Sequence, residues 1–210
     1  MEFKKIQLNG FKSFAEKTNF LIEDGLTGIV GPNGCGKSNI VESLRWVMGE
    51  TSAKSMRGSG MEDVIFSGTS NKPSKNIAEV SIGVENKNKS GPIQFKDFDF
   101  IEIRRKIEKD KGSKFYINDK EVRARDAQMF FADLSTGAHS PSMISQGRIG
   151  ILVTAKPADR RAILEEAAGI SGLHVRRHEA ELRLSSAENN LKRADELRRQ
   201  QEKQLANLQK

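Results

Sequence analysis

Gly31-Pro32-Asn33-Gly34-Cys35-Gly36-Lys37-Ser38 decides how this chain reads. The octapeptide fits G-x-x-x-x-G-K-[ST], in which glycines let the backbone curl until several N–H groups point at one anion. Before it, Leu26 to Val30 is a short apolar run that reads as a strand. After it, Ile40, Val41, Leu44, Val47 and Met48 recur at helical spacing, and Gly49 is a plausible stop. Strand, loop and helix in that order are the context the motif requires. The helix beginning near Lys37 adds its positive end to the same place. The pattern implies a phosphate cradle for ATP, with Lys37 on the terminal phosphates and Ser38 on Mg²⁺. Pro32, Asn33, Gly34, Cys35, Gly36 and Asn39 complete the expected contacts. Cys35 fills a variable position of the loop, where it reads as a small residue that fits rather than as a reactive thiol.

Outward from the loop, Phe3 to Leu8 and Asn19 to Ile22 read as strands. Residues 51–76 are rich in Ser, Gly, Lys and Asn and read mostly as loop, interrupted by the apolar stretch Met61 to Phe66. Ala78 to Val84 alternates like a strand, and so does Phe98 to Ile107. Lys114 to Ile117 and Glu121 to Arg123 flank Asn118-Asp119, a hairpin signal. Helices are expected from Arg125 to Leu134 and from Pro157 to Ala168.

From Leu173 the pattern changes. Positions 173, 177, 180, 184, 187, 191, 194, 198, 201, 205 and 208 are spaced alternately by four and three. They hold mostly Leu and Ala, with Arg177, Arg198 and Gln201 as polar interruptions. That is a heptad seam on a long helix, and such a seam needs a partner helix. This sequence offers no second one of that kind, so the partner belongs to another segment or another chain. His174 and His178 lie one helical turn apart, but no other ligands accompany them at a metal-site spacing, so they read as the base of this arm.

The 210 residues suffice for one sizeable domain and an appendage. The formal net charge of +7 permits contact with nucleic acid without demanding it. One cysteine rules out an intrachain disulfide and fits a reducing compartment. The N-terminus lacks a signal peptide's apolar stretch, and no apolar run reaches the ~18 residues of a membrane span. A cytoplasmic protein without membrane partners is the expectation.

The motifs resemble those of SMC proteins, the bacterial condensin-type family above all. Leu8-Asn9-Gly10-Phe11-Lys12-Ser13-Phe14 before the phosphate loop, then Ser52-Ala53-Lys54-Ser55-Met56-Arg57-Gly58 and Met61-Glu62-Asp63-Val64-Ile65-Phe66, match in order. Ile144-Ser145-Gln146-Gly147-Arg148 and Arg160-Arg161 before Glu165-Glu166-Ala167-Ala168-Gly169 follow. The resemblance implies an α/β fold: a P-loop, ABC-type ATPase half-domain with a mixed β-sheet, followed by the start of a long antiparallel coiled-coil arm. Residues 1–170 would form the N-terminal lobe of the head and 171–210 the proximal neck helix.

It also implies roles. Gln146 matches the glutamine that helps hold Mg²⁺ and the attacking water, and Arg57 matches an arginine that approaches the nucleotide. Lys12 and Ser13 match residues near the nucleotide, and Phe66 is a candidate for contact with base or ribose. Arg123 and Arg125 match a place where SMC heads touch the backbone of double-stranded DNA without reading sequence. Gly60 departs from the pattern, since some relatives carry a DNA-binding lysine there.

Hydrolysis needs an aspartate ending an apolar strand and a glutamate beside it. Neither is found, and the nearest run, Phe130-Phe131-Ala132-Asp133, falls in an expected helix and lacks the glutamate. No Leu-Ser-Gly-Gly-type loop is present either. In the family these come from the C-terminal half of the same head, after the arm returns. The implied protein is thus the ATP-binding half of a nucleoid-associated ATPase for chromosome condensation and partition. It would be active only in the complete head dimer and inert alone. The expected partners are that C-terminal half, a second head in a homodimer, a kleisin at the neck and DNA. A RecN- or RecF-like repair ATPase is the alternative. A small-molecule kinase leaves the heptad tail unexplained, and a scaffold with a vestigial site leaves the Lys37-Ser38 pair unexplained.

Overall fold

The computed structural model describes residues 1–87, 89, 91–134, 143–144, 150, 153–168 and 171–208. Its centre is a six-stranded sheet of β1 (Glu2–Asn9), β2 (Thr18–Leu21), β3 (Ile77–Glu85), β4 (Phe100–Glu108), β5 (Gly112–Ile117) and β6 (Lys120–Val122). The strands lie in the order β2-β1-β3-β4-β5-β6, and every pairing is antiparallel.

Register follows from burial. Ile6 stands opposite Ile82, Ile82 opposite Ile103 and Ile103 opposite Ile117, which makes one apolar row across four strands. A one-residue slip in any pair would turn that row to the other face, which is why it is firmly specified. Asn118 and Asp119 both take positive φ, at 47° and 62°, and close the tight β5–β6 hairpin that the sequence signals.

Helix α1 (Lys37–Val47) packs across β3 and β4, and α2 (Ala124–Asp133) packs on β5. Trp46 and Val47 from α1 and Met48 just after it share one core with Phe130 and Phe131 from α2, and with Phe11, whose ring sits 5.5 Å from that of Trp46. Full burial of such side chains contributes about 1.5–3 kcal/mol each. Gly49, at φ 106°, ends α1 as the sequence suggests. Helices α3 (Pro157–Ala167) and α4 (Ser171–Leu208) follow. The 38 residues of α4 extend about 57 Å. Leu184, Leu191 and Leu205 of its seam are exposed.

One inward position of β4 is not apolar. The strand alternates, with Ile101, Ile103 and Ile107 buried, and Arg105 occupies the inward place between the last two. Its guanidinium lies 4.6 Å from the Trp46 ring centroid and 4.7 Å from that of Phe115. It donates to Ser113 Oγ and to the carbonyls of Trp46 and Glu50 at the end of α1. Burial pushes its pKa down to about 10 against the pull of Glu50, so it remains charged at neutral pH.

The strand expected over Leu26 to Val30 does not form. Leu26 is 99% exposed and Val30 93%, and among the described residues no strand pairs with the segment. The physical reason is that β-structure needs a ladder partner, and an apolar run alone does not supply one. Met61 to Phe66, the apolar interruption of the expected loop, folds as a 3-10 turn over Met61–Val64 and then pairs at Ile65 with Phe11.

Candidate nucleotide site

The phosphate loop is built by left-handed glycines. Gly34 and Gly36 have φ of 82° and 96°, and Gly36 caps the start of α1. A Cβ on Gly36 would stand 2.6 Å from Ser13 Oγ, so the closeness of the two loops also requires glycine. The Lys37 ammonium folds back over the loop, donating to the carbonyls of Gly31 and Pro32, the latter at 2.7 Å. It thus sits over the loop, where phosphate oxygens are stronger acceptors than carbonyls.

A second segment closes against the loop. Gly10 to Phe14 turns tightly through paired backbone hydrogen bonds between Phe11 and Phe14, and Lys12 takes φ 47°. The turn brings Ser13 Oγ within 2.9 Å of Asn39 Nδ2, which donates to it. A third segment brings Arg57, at φ 54°, so that its guanidinium donates to Asn39 Oδ1 at 3.3 Å. Positive φ at non-glycine residues such as Lys12 and Arg57 is a local strain that only surrounding contacts sustain.

The contact that gathers these segments is one the sequence does not announce. Glu42, one turn beyond Ser38 on α1 and 8% exposed, pairs with Lys12 through one carboxylate oxygen and with Arg57 through the other. Lys12 also donates to the Met56 carbonyl, next to Arg57. Ser38, Val41, Glu42, Arg45, Ser55, Arg57 and Ile144 line a cleft of about 330 Å³. The loop after Arg57 is pinned by Asp63, which accepts from the N–H groups of Ser59 and Gly60 and from Ser59 Oγ. These bonds, that from Gly60 foremost, hold the Asp63 pKa below the usual carboxylate value.

The structure therefore brings Lys12, Ser13, Lys37, Ser38, Asn39 and Arg57 to one place. It does not bring Phe66 there with an open face. That ring is 5% exposed, while its backbone ties Gly10 to Lys75. Stacking on a base needs a free ring face, which this burial removes. Gln146 lies outside the described residues, and Ile144, two positions earlier in the chain, lines the cleft. Arg123 caps the start of α2 and Arg125 lies in its first turn, both exposed. Arg123 lines a groove between β5, β6 and α2 together with Lys114 and Lys120 and the acidic Glu121 and Asp126, and Arg125 is not among the lining residues. His174 and His178 both lie on α4. Among the described residues no cluster of His, Cys, Asp or Glu suits a metal ion, and no helix is long and apolar enough to cross a membrane.

A phosphate loop opening a helix laid on an antiparallel sheet, with a long heptad-bearing helix leaving it, defines the class: half of an ABC-type P-loop ATPase head. The chain belongs to the RecF/RecN/SMC N-terminal domain family, whose model matches residues 2–155. It is 58% identical over 197 residues to the chromosome partition protein Smc of Cereibacter sphaeroides, covering 94% of this chain and 17% of that protein. It spans 17–18% of the length of the curated relatives it matches first. Among solved structures it resembles the Pyrococcus furiosus Smc head domain with an extended coiled coil, bound to the C-terminal domain of ScpA. That likeness has a TM-score of 0.74 at 33% identity, over 93% of this chain and 48% of that one. It also resembles a chain solved in a study of ATP-driven dimerization and DNA-stimulated activation of SMC ATPases, with TM-score 0.68 and 33% identity over 80% of this chain and 99% of that one.

Proposed function

We propose that this chain is the ATP-binding half of an SMC ATPase head, with residues 1–170 as the N-terminal lobe and 171–210 as the first stretch of the neck. The observation that carries the reading is the Gly31–Ser38 loop itself. Left-handed Gly34 and Gly36, a helix starting at Lys37 and an ammonium held over the loop together make an anion cradle. The donors fit a nucleotide triphosphate, since backbone N–H groups, Lys12, Lys37 and Arg57 supply positive charge where phosphates would lie.

In this reading residues 31–39 wrap the phosphates and Lys37 neutralises the terminal ones. Lys12 and Ser13 flank them, and Arg57 approaches from the cleft. Ser38 and Gln146 are the residues to hold Mg²⁺. When bound, Mg²⁺ withdraws charge from the phosphate oxygens.

The acidic residue that activates water and the signature loop come from a complementary half. That half would also cover Leu26, Ile29 and Val30, the exposed apolar run before the loop. Two complete heads then sandwich two ATP molecules and part on hydrolysis, driving DNA entrapment and chromosome condensation and partition. Arg123 and Arg125 neutralise the DNA backbone irrespective of sequence. The neck helix α4, with its exposed seam, pairs with the returning arm and receives a kleisin. The whole is cytoplasmic and nucleoid-associated. The 58% identity to a chromosome partition protein favours this over a RecN- or RecF-like repair ATPase.

The test is ATP hydrolysis with and without the complementary half. The chain alone should turn over negligibly, and adding the missing half should restore slow turnover that Lys37→Ala abolishes. Robust turnover by the 210-residue chain alone would defeat the half-site reading.

A further inference from the structure

We infer that Glu42 is a positioning residue that competes with the nucleotide for Lys12 and Arg57. The inference rests on the nucleotide site proposed above. Three observations carry it. Glu42 is 8% exposed and holds two cations at once, one on each carboxylate oxygen. Both cations sit in strained left-handed backbone, Lys12 at φ 47° and Arg57 at φ 54°. Glu42 also lines the same cleft as Ser38, one helical turn away on α1.

A carboxylate placed there stands in for a phosphate. It gives Lys12 an anionic partner within a largely buried setting, where an unpaired cation is costly, and holds the more exposed Arg57 through its other oxygen. It thereby fixes the Arg57 loop against α1, with the Arg57–Asn39 and Asn39–Ser13 hydrogen bonds extending the tie to the Gly10–Phe14 turn. Phosphate arriving on the loop competes for both cations, drawing Lys12 away from Glu42 while Arg57 stays shared between Glu42 and the phosphate. The negative charge therefore lowers nucleotide affinity while setting the place from which Arg57 acts. A residue of merely structural importance would lower affinity and turnover together on removal. Glu42 should move them in opposite directions.

The experiment uses the head assembled from this chain and its complementary half. It measures binding of a fluorescent ATP analogue, turnover and melting temperature for wild type, Glu42→Gln, Arg57→Ala and the double variant. Glu42→Gln keeps the shape and removes the charge. It should bind ATP roughly three- to tenfold tighter at low salt, with the gain shrinking as ionic strength rises. Its turnover should fall by roughly tenfold, because Arg57 loses its anchor. In the Arg57→Ala background the turnover loss from Glu42→Gln should shrink to less than about twofold. Unchanged or weaker ATP binding by Glu42→Gln at a near-wild-type melting temperature overturns the inference, and so does an undiminished turnover loss without Arg57. If Glu42→Gln does not fold, Glu42→Asp takes its place. Its shortened reach should lower turnover at unchanged affinity, and unchanged turnover there overturns the inference as well. Failure of the nucleotide reading looks different: wild type would not bind the analogue, or Lys37→Ala would bind it normally.

Discussion

Arg105 on β4 donates from Nη1 to the carbonyl oxygen of Trp46 at 2.7 Å, so a buried cation in the sheet closes the last turn of the phosphate-loop helix. The same nitrogen reaches the Glu50 carbonyl at 2.7 Å, and Gln128 of α2 donates to the Gly49 carbonyl at 2.8 Å. Helix ends leave carbonyls without partners, and a cation there also meets the negative end of the helix dipole. One end of α1 thus opens at the Gly31–Ser38 loop while the other is clamped by β4 and α2.

Arg105→Ala should therefore be among the most damaging substitutions in the lobe. It removes a flat cation packed between two rings and takes one buried hydrogen bond each from the Trp46 and Glu50 carbonyls. A loss of roughly 3 kcal/mol is expected, read by urea unfolding. Arg105→Lys keeps the charge but not the planar fork, and should recover only part of that loss.

Gly36→Ala tests the loop geometry. Its φ of 96° strains any side chain, and the added Cβ would lie 2.6 Å from Ser13 Oγ. The expected cost is about 1–2 kcal/mol, seen as a Tm lower by roughly 3–6 °C, with weakened ATP binding.

Asp63 gives the loop after Arg57 an acid-sensitive anchor. Its folded pKa is depressed below 3.8, chiefly by the bond from Gly60. A depressed carboxylate contributes stability that is present above its unfolded pKa and is lost as pH falls through the folded one. Asp63→Asn should therefore destabilise the protein at pH 7. It should be nearly neutral at a pH below both values. Thermal unfolding of the two proteins across that range checks the convergence.

Arg123→Glu with Arg125→Glu should weaken double-stranded DNA binding equally across sequences. If each arginine neutralises one phosphate, the slope of log affinity against log salt should fall by roughly two. Equal affinity and slope in an anisotropy titration would remove both residues from the DNA surface.

Much of the fold was legible in the sequence because it is written locally. The helix after Lys37, its stop at Gly49 and the Asn118-Asp119 hairpin each rest on a few neighbouring residues. The strand expected over Leu26 to Val30 misled because its residues are apolar enough for a sheet but find no ladder among the described residues. Arg105 left a visible signal, a charge at an inward position of an alternating strand, but the sequence does not say what it faces. Phe66, a candidate for base or ribose contact through the resemblance alone, ends an apolar stretch and is buried where Ile65 pairs with Phe11.

By itself the sequence determined the phosphate loop, since glycine spacing and the Lys37-Ser38 pair act within eight consecutive residues. It also determined the heptad helix, whose periodicity needs no tertiary information. Only the tertiary structure decided that Glu42 would join Lys12 and Arg57, 30 residues back and 15 residues on, and that Arg105 would clamp a helix 59 residues before it. The physical reason is the same in both cases. An ion pair or a cap depends on which side chains the packed sheet and helix bring within about 3 Å of each other, and no local pattern encodes that distance.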